Sequence, residues 1–186
     1  MLPALRNGLL RFRSDARGAA AVEFGFVGVM FITGILNAFE VGRFAYEKMQ
    51  VENAAYAGAQ AAWKTCDFTM LPATQMQTAT QTTKCPNLNT AVTAAIQATS
   101  LGSKVALSSA GITEAYYCVN TSGTLQSVGS VSSKPANCSA AGNANVSPAD
   151  YIQVNVTFSY TPLLPMTVMG VHGASTITKT SWMRLG

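Results

Sequence analysis

RGAAAVEFGFVGVMFITGILNAFEVGRFAYEKMQVENAAYAGAQAA, residues Arg17 to Ala62, holds the reading on which the fold turns. Gly18 is followed by Ala19, Ala20, Ala21, Val22, the carboxylate Glu23 and the aromatic Phe24. From Phe24 to Phe39 there is no charge in sixteen positions. In front stand Arg6, Arg11, Arg13, Asp15 and Arg17. A basic stretch before an apolar run is a membrane-entry signal, and here the only small-residue processing point precedes the run. A secretory signal is cut after its apolar region at a small-x-small site. Asn37, Ala38 and Phe39 offer no such site, and the chain continues from Glu40 as more of the same helix. Cleavage at Gly18 would therefore leave the apolar segment on the mature protein.

Ala19 to Phe39 number twenty-one residues, about 31 Å of helix at a rise of about 1.5 Å per residue, close to the hydrocarbon thickness of a bilayer. One span fits. The leader holds four Arg against one Asp, whereas Glu40 to Glu52 holds Glu40, Arg43, Glu47, Lys48 and Glu52, one net negative. The positive-inside rule then predicts a cytoplasmic N-terminus and an outer location for residues beyond about Glu40.

A formal net charge of +4 invites a nucleic-acid reading. Without residues 1–18 the balance is eight basic against seven acidic residues. No basic stripe with interleaved aromatics remains on the outer part, which argues against nucleic acid as a partner.

With these residues assembled, the chain resembles a known family. Gly18 with Glu23 five positions later is similar to the class III signal read by prepilin peptidases, in which the cut falls after the glycine and the glutamate becomes the fifth mature residue. Arg17 to Ala62, with its EVGRFAYEKMQVENAA continuation, resembles the TadE-like pseudopilins of the Tad (Flp) pilus system. The C-terminal YIQVNVTFSYTPLLP and the Thr-rich strand after it resemble the closing pattern of that family; residues 65 to 150 match no motif. The resemblance implies a bacterial inner-membrane, single-pass pseudopilin or minor pilin, cut between Gly18 and Ala19. Its implied partners are a prepilin peptidase, other pilin-like subunits and inner-membrane assembly proteins. Likeness to type IV pilins further implies that Glu23 of one subunit pairs with the Ala19 amine of a neighbour during assembly. Phe24 reads as signal and lipid-facing bulk. The plainer reading of Glu23 is a carboxylate capping the helix start or lying among headgroups.

Length and pattern predict an α+β chain: a basic leader over 1–18, one long helix over 19–64 that spans the membrane over about 19–39, and a periplasmic disulfide-tied domain over 65–186. Phe44, Val51, Ala55, Ala59 and Ala62 recur at helical spacing, with Gly58 among them, and form a stripe of small residues suited to close packing on the protein's own sheet or on a neighbouring helix. Arg43 and Glu47, i,i+4, read as an exposed pair. The Thr and Gln tract from Thr69 to Thr83 reads as a pinned loop or a short exposed helix. Asn89 to Leu101 reads as a second helix with Val92 and Ile96 inward and Gly102 as its stop.

Ile112 to Val119, with Tyr116 and Tyr117, reads as a strand, and Asn120 to Asp150 as a long Ser-, Asn- and Gly-rich surface loop. Ile152, Val154, Val156 and Phe158 alternate with Gln153, Asn155, Thr157 and Ser159, the period of a strand with one buried face, ended by Pro162 and Pro165. A last strand over about Ala174 to Met183 is expected to pair antiparallel with it, giving a small sheet covered by the long helix.

Cys66, Cys85, Cys118 and Cys138 all follow the span. Four cysteines allow three pairings. The sequential pairs, Cys66 with Cys85 and Cys118 with Cys138, are favoured because each closes a short loop, and each bridge is expected to contribute roughly 3 kcal/mol in the chain-entropy model. Zinc ligands come in close pairs, and none of these spacings is of that kind.

Little else suggests chemistry. His172 is the single histidine. Asp67, Glu114 and Asp150 lie far apart in sequence, and no nucleophile elbow, phosphate-cradling glycine loop or HExxH is present. The sequence argues against an enzyme and calls for no cofactor or metal. The alternative of another class is a membrane-anchored periplasmic binding or adhesive module with an uncleaved signal anchor and a ligand surface around Tyr116 and Tyr117. An anchored hydrolase would need converging polar groups that the sequence does not display.

Overall fold

A computed structural model describes residues 16–77, 82–163 and 175–186. Residues 1–15 of the expected leader, Thr78, Thr80 and Gln81 of the Thr and Gln tract, Pro165, His172 and Ala174 lie outside the described residues. The first element, α1 (Ala16–Thr65), is a single helix of 50 residues, about 75 Å long at about 1.5 Å per residue. Its halves live in different surroundings. Phe24, Phe26, Met30 and Phe31 are two-thirds or more exposed, whereas Val51, Ala54, Ala55, Ala59 and Ala62 are fully buried. The first half shows apolar surface to its surroundings; the second presents a stripe at three- and four-residue spacing to a head domain.

The head has two layers. A second helix, α2 (Leu88–Gln97), buries Leu88, Val92 and Ile96, four residues apart, beside α1. Under both lies a four-stranded antiparallel sheet of β1 (Val105–Val119), β2 (Leu125–Ser130), β3 (Ala149–Tyr160) and β4 (Ser175–Arg184), in the order β2-β1-β3-β4. Central strand β3 directs Ile152, Val154, Val156, Phe158 and Tyr160 into the core, the alternation read from the sequence continued by one more residue. β4 pairs with it from Tyr151 opposite Arg184 to Tyr160 opposite Ser175.

The small residues of α1 decide how closely the layers approach. A Cβ on Gly58 would stand 2.8 Å from Ile96 Cγ2, 3.1 Å from Val154 Cγ1 and 3.3 Å from Val92 Cγ1. Glycine is thus required where α1, α2 and β3 converge. Of the two destinations open to the stripe, the protein's own sheet is the one observed.

Several local expectations are corrected. β1 begins at Val105 rather than Ile112, and its pairing with β3 shifts register between Leu107 and Ile112. The irregular stretch is small and polar, with Gly111 at φ +58° and its carbonyl accepting from Asn155 Nδ2 at 3.1 Å, so alternation is interrupted and the strand was foreshortened in the reading. The expected loop over Asn120 to Asp150 contains β2 and a 3-10 turn (Ser139–Ala141). β2 is an edge strand with four of six residues exposed; it forms through backbone pairing with β1 and carries no buried apolar face to betray it.

Helix α2 stops at Gln97, short of the expected Leu101, as Thr99 Oγ1 donates to the Ile96 carbonyl at 2.7 Å and competes with helical continuation. Gly102, at φ +57°, opens a 3-10 turn instead of ending the helix. The described part of the Thr and Gln tract holds a 3-10 turn (Phe68–Met70) and a Met76–Thr83 bridge. Disulfides join Cys66 to Cys85 and Cys118 to Cys138, each with a Cα–Cα distance of 5.7 Å. The first ties the end of α1 to the start of α2; the second holds the segment after β2 against β1.

Candidate functional site: the helical stem and its junction with the head

Gly18, Ala19, Glu23 and Phe24 lie on the first three turns of α1, all exposed. A Cβ on Gly18 would meet nothing within 4 Å, so close packing inside this chain does not explain the glycine. Farther along, Val27, Met30, Phe31, Gly34, Ile35 and Ala38 line a shallow, wholly apolar groove on the same helix. Among the described residues α1 is the one helix long and apolar enough to cross a membrane, and its apolar window is entirely unburied.

Directly after the apolar run comes a polar junction that sequence reasoning missed. Glu40, 1 % exposed, accepts hydrogen bonds through Oε1 from Tyr160 Oη at the end of β3, from Arg43 at 2.9 Å and from the Leu163 amide at 3.3 Å. Arg43 also donates to the Thr161 carbonyl and to Glu47 at 3.0 Å. Its guanidinium lies 4.7 Å over the Tyr160 ring, which Phe44 meets edge-on at 5.0 Å. The hydrogen bond from Tyr160 foremost, with those from Arg43 and the Leu163 amide, holds the Glu40 carboxyl below its ordinary range against the opposing effect of desolvation.

The Arg43–Glu47 pair expected on the exposed face is formed, but Arg43 is only 23 % exposed because Tyr160 and Thr161 close over it. The usable signal was Tyr160 itself, in phase with Ile152 to Phe158 and therefore facing the helix. These contacts fasten the end of β3 to α1 one residue past the apolar run, which fixes the head to the stem where that run ends. Higher on the helix Lys179 Nζ of β4 bonds Glu52 Oε2 at 2.9 Å and holds that carboxyl below its ordinary range. Glu52 is 64 % exposed, so this pair adds little to the docking.

The residues 18–60, which run from the glycine through the exposed half and past this junction, match a family model described as TadE-like protein. Over these residues the stem is similar to TadE-like proteins. No curated protein and no solved structure matches the chain. The TadE-like segment thus includes Gly18, Glu23 and Phe24, the whole apolar run and the Glu40–Arg43 junction, and ends within the buried stripe, two residues after Gly58. Most of the head lies beyond it.

Within that head, the acids that are distant in sequence are partly reunited. Glu114 and Asp150 approach each other across β1 and β3. Glu114 is committed to Ala73 and Thr74, and Asp150 is 5 % exposed, so neither is presented to a substrate. Among the described residues no group of three or more His, Cys, Asp or Glu side chains gathers to hold a metal ion. On the sheet face away from the helices, Tyr117 meets Tyr151 edge-on at 5.8 Å and Trp182 at 5.0 Å. Tyr117 thus belongs to an outward aromatic group, whereas Tyr116 is buried and its hydroxyl pKa is raised, first by burial and then by Asp150 and Glu114.

Proposed function

We propose that this chain is a non-enzymatic, single-pass inner-membrane pseudopilin or minor pilin that takes part in assembly of a Tad-type pilus. In this reading residues 1–18 are a leader removed by a prepilin peptidase, Ala19 to about Phe39 cross the membrane, and residues 65–186 form a periplasmic head. The observation that carries it is the coincidence of the TadE-like match with one uninterrupted helix that starts before Gly18 and runs into the docked head. Its partners are the peptidase, other pilin-like subunits and inner-membrane assembly proteins.

Glu23 is the assembly residue in this account. A carboxylate drawn to the bilayer centre would cost up to roughly 3 kcal/mol; a neighbour's Ala19 amine, created by the cut, would offset that. Pilin-like major fibre subunits are much shorter by the family resemblance, so about 120 residues after the helix favour a minor, priming or tip role. The test is Glu23→Ala in the native host: membrane anchoring and head folding persist while piliation falls. Unchanged piliation would reject the assembly role.

A second reading, an anchored binding or adhesive module, has one observation in its favour, the outward Tyr117–Tyr151–Trp182 group. It predicts an uncut Gly18, full function in Glu23→Ala, and loss of function in Trp182→Ala with piliation intact.

A further inference from the structure

The upper half of α1 carries apolar side chains that the head does not use. Tyr46, Met49, Tyr56 and Trp63 are each more than half exposed, on a stretch whose other side enters the core through Val51, Ala55 and Ala62. At about 100° per residue the two sets lie back to back on the helix. In the proposed function lipid covers the exposed apolar surface before Glu40, but nothing among the described residues covers it after Glu40. Charge stands aside from this surface: Arg43 and Glu47 are tied into the junction, and Glu52 is bonded to Lys179. An uncharged, partly aromatic strip on the water side of a helix marks a protein contact.

Tyr46, Asn53 and Gln60 stand seven apart, and so do Met49, Tyr56 and Trp63, three residues farther along. The two rows continue down the stem through Phe39 and Gly42, then Ile32 and Ile35, to Gly25 and Gly28. Rows alternately three and four residues apart, repeated every seven, are the seam of a left-handed coiled coil. A Cβ on Gly25, Gly28 or Gly42 would meet nothing within 4 Å. The packing of this chain therefore does not call for these glycines, whereas they let a second helix approach closely.

We propose that the stem forms a homodimer, in which a second copy of this chain packs its α1 along these rows in parallel and in register, from Gly25 to Trp63. This rests on the proposed function in one respect: both stems enter one membrane in the same direction, which excludes an antiparallel pair. A two-fold axis along the stems sets Asn53 opposite the second copy's Asn53. An amide in that row bonds its counterpart and specifies register and strand number. A staggered pair would leave it facing apolar side chains without a partner. Gln60, in the same row, is matched in the same way. Each head lies on the far side of its own stem, so the two heads project away from each other. Phe39, Tyr46, Tyr56 and Trp63 are 53–62 % exposed. Covering them removes roughly 400 Å² per chain, as such rings bury about 150–250 Å² each. That is about half of the roughly 800 Å² per partner in a stable interface, and Ile32, Ile35 and Met49 extend it. Glu23 stands off both rows, so the dimer leaves it free for the assembly role.

The test is cysteine cross-linking of the full chain in its own membrane. The four native cysteines are paired, so a single introduced cysteine supplies the one free thiol. Asn53→Cys and Gln60→Cys should each give a disulfide-linked species of twice the chain mass on mild oxidation. Lys48→Cys, exposed on the flank toward the head, should stay monomeric. Tyr56→Arg in the Gln60→Cys background should abolish the dimer; Tyr56 is outside the core, so the head keeps its fold. Monomer from both row positions, or equal cross-linking from Lys48→Cys, would overturn the proposal. So would a product of any other mass, which would give the face to a different protein. Should the cysteine variants fail to accumulate, sedimentation of the wild-type chain in detergent micelles decides between dimer and monomer. The intact mass of the same samples reports the N-terminus independently. A monomer that starts at Ala19 refutes the dimer alone, and a dimer with an intact leader refutes the processing alone.

Discussion

Replacing Gly58 tests whether α1 and the head are one packed unit. A methyl group there falls 2.8 Å from Ile96 Cγ2 and 3.1 Å from Val154 Cγ1, and both partner residues are fully buried. Neither can move into solvent, so relief requires separating α1 from α2 and β3. Overpacking of this kind typically costs about 1–3 kcal/mol, while Gly→Ala in a helix interior returns about 1 kcal/mol of propensity. Gly58→Ala should therefore be destabilising by about 0–2 kcal/mol, and Gly58→Val by more, since two further methyls enter the same space.

Gly42→Ala is the matched control. It lies on the same helix with nothing within 4 Å of its Cβ, so only the propensity gain of up to about 1 kcal/mol applies. Urea unfolding of the detergent-solubilised chain, followed by the fluorescence of Trp63 and Trp182, measures all three. Stabilisation by Gly58→Ala as large as that by Gly42→Ala would refute the docked arrangement.

Three further outcomes follow from the junction and the Cys66–Cys85 bridge. Tyr160→Phe removes the hydroxyl donor of buried Glu40 and should lower the melting temperature, an effect that shrinks in a Glu40→Gln background because the two changes remove one interaction. Glu40 is held below its ordinary value of 4.5, so its contribution is present above about that pH and is lost as the medium becomes more acidic; wild type should lose more stability than Glu40→Gln on acidification, and equal losses would count against the junction. Cys66→Ser with Cys85→Ser should cost about 3 kcal/mol in the same urea assay, and a change under about 1 kcal/mol would show that the bridge hardly restrains the unfolded chain.

The parts of this molecule that bury a regular face were readable in advance. The stripe from Val51 to Ala62 and the alternation from Ile152 to Phe158 follow from period and composition alone, and the α1–β3 packing follows from both. Strand β2 was missed because an edge strand of Leu, Gln, Ser, Val and Gly buries too little to impose a pattern. The start of β1 was missed because the bulge at Ser108 to Gly111 breaks the alternation. Gly18, Glu23 and Phe24, read from their spacing, fall inside the segment that matches the TadE-like model. The Glu40–Arg43–Tyr160 junction and the Glu114–Asp150 pair were not, because each joins residues more than thirty positions apart whose meeting is set by strand register. Tyr160 and Asp150 are both in phase with the buried face of β3, so extending that alternation at either end would have brought them into view.

The central claim is that the chain is a processed, membrane-held pilin-like subunit, and the most direct measurement is the N-terminal sequence and intact mass of the membrane-fraction protein with and without its prepilin peptidase. The account predicts a start at Ala19 only when the peptidase is present. An intact leader in both strains would contradict it and leave the anchored binding module as the better description.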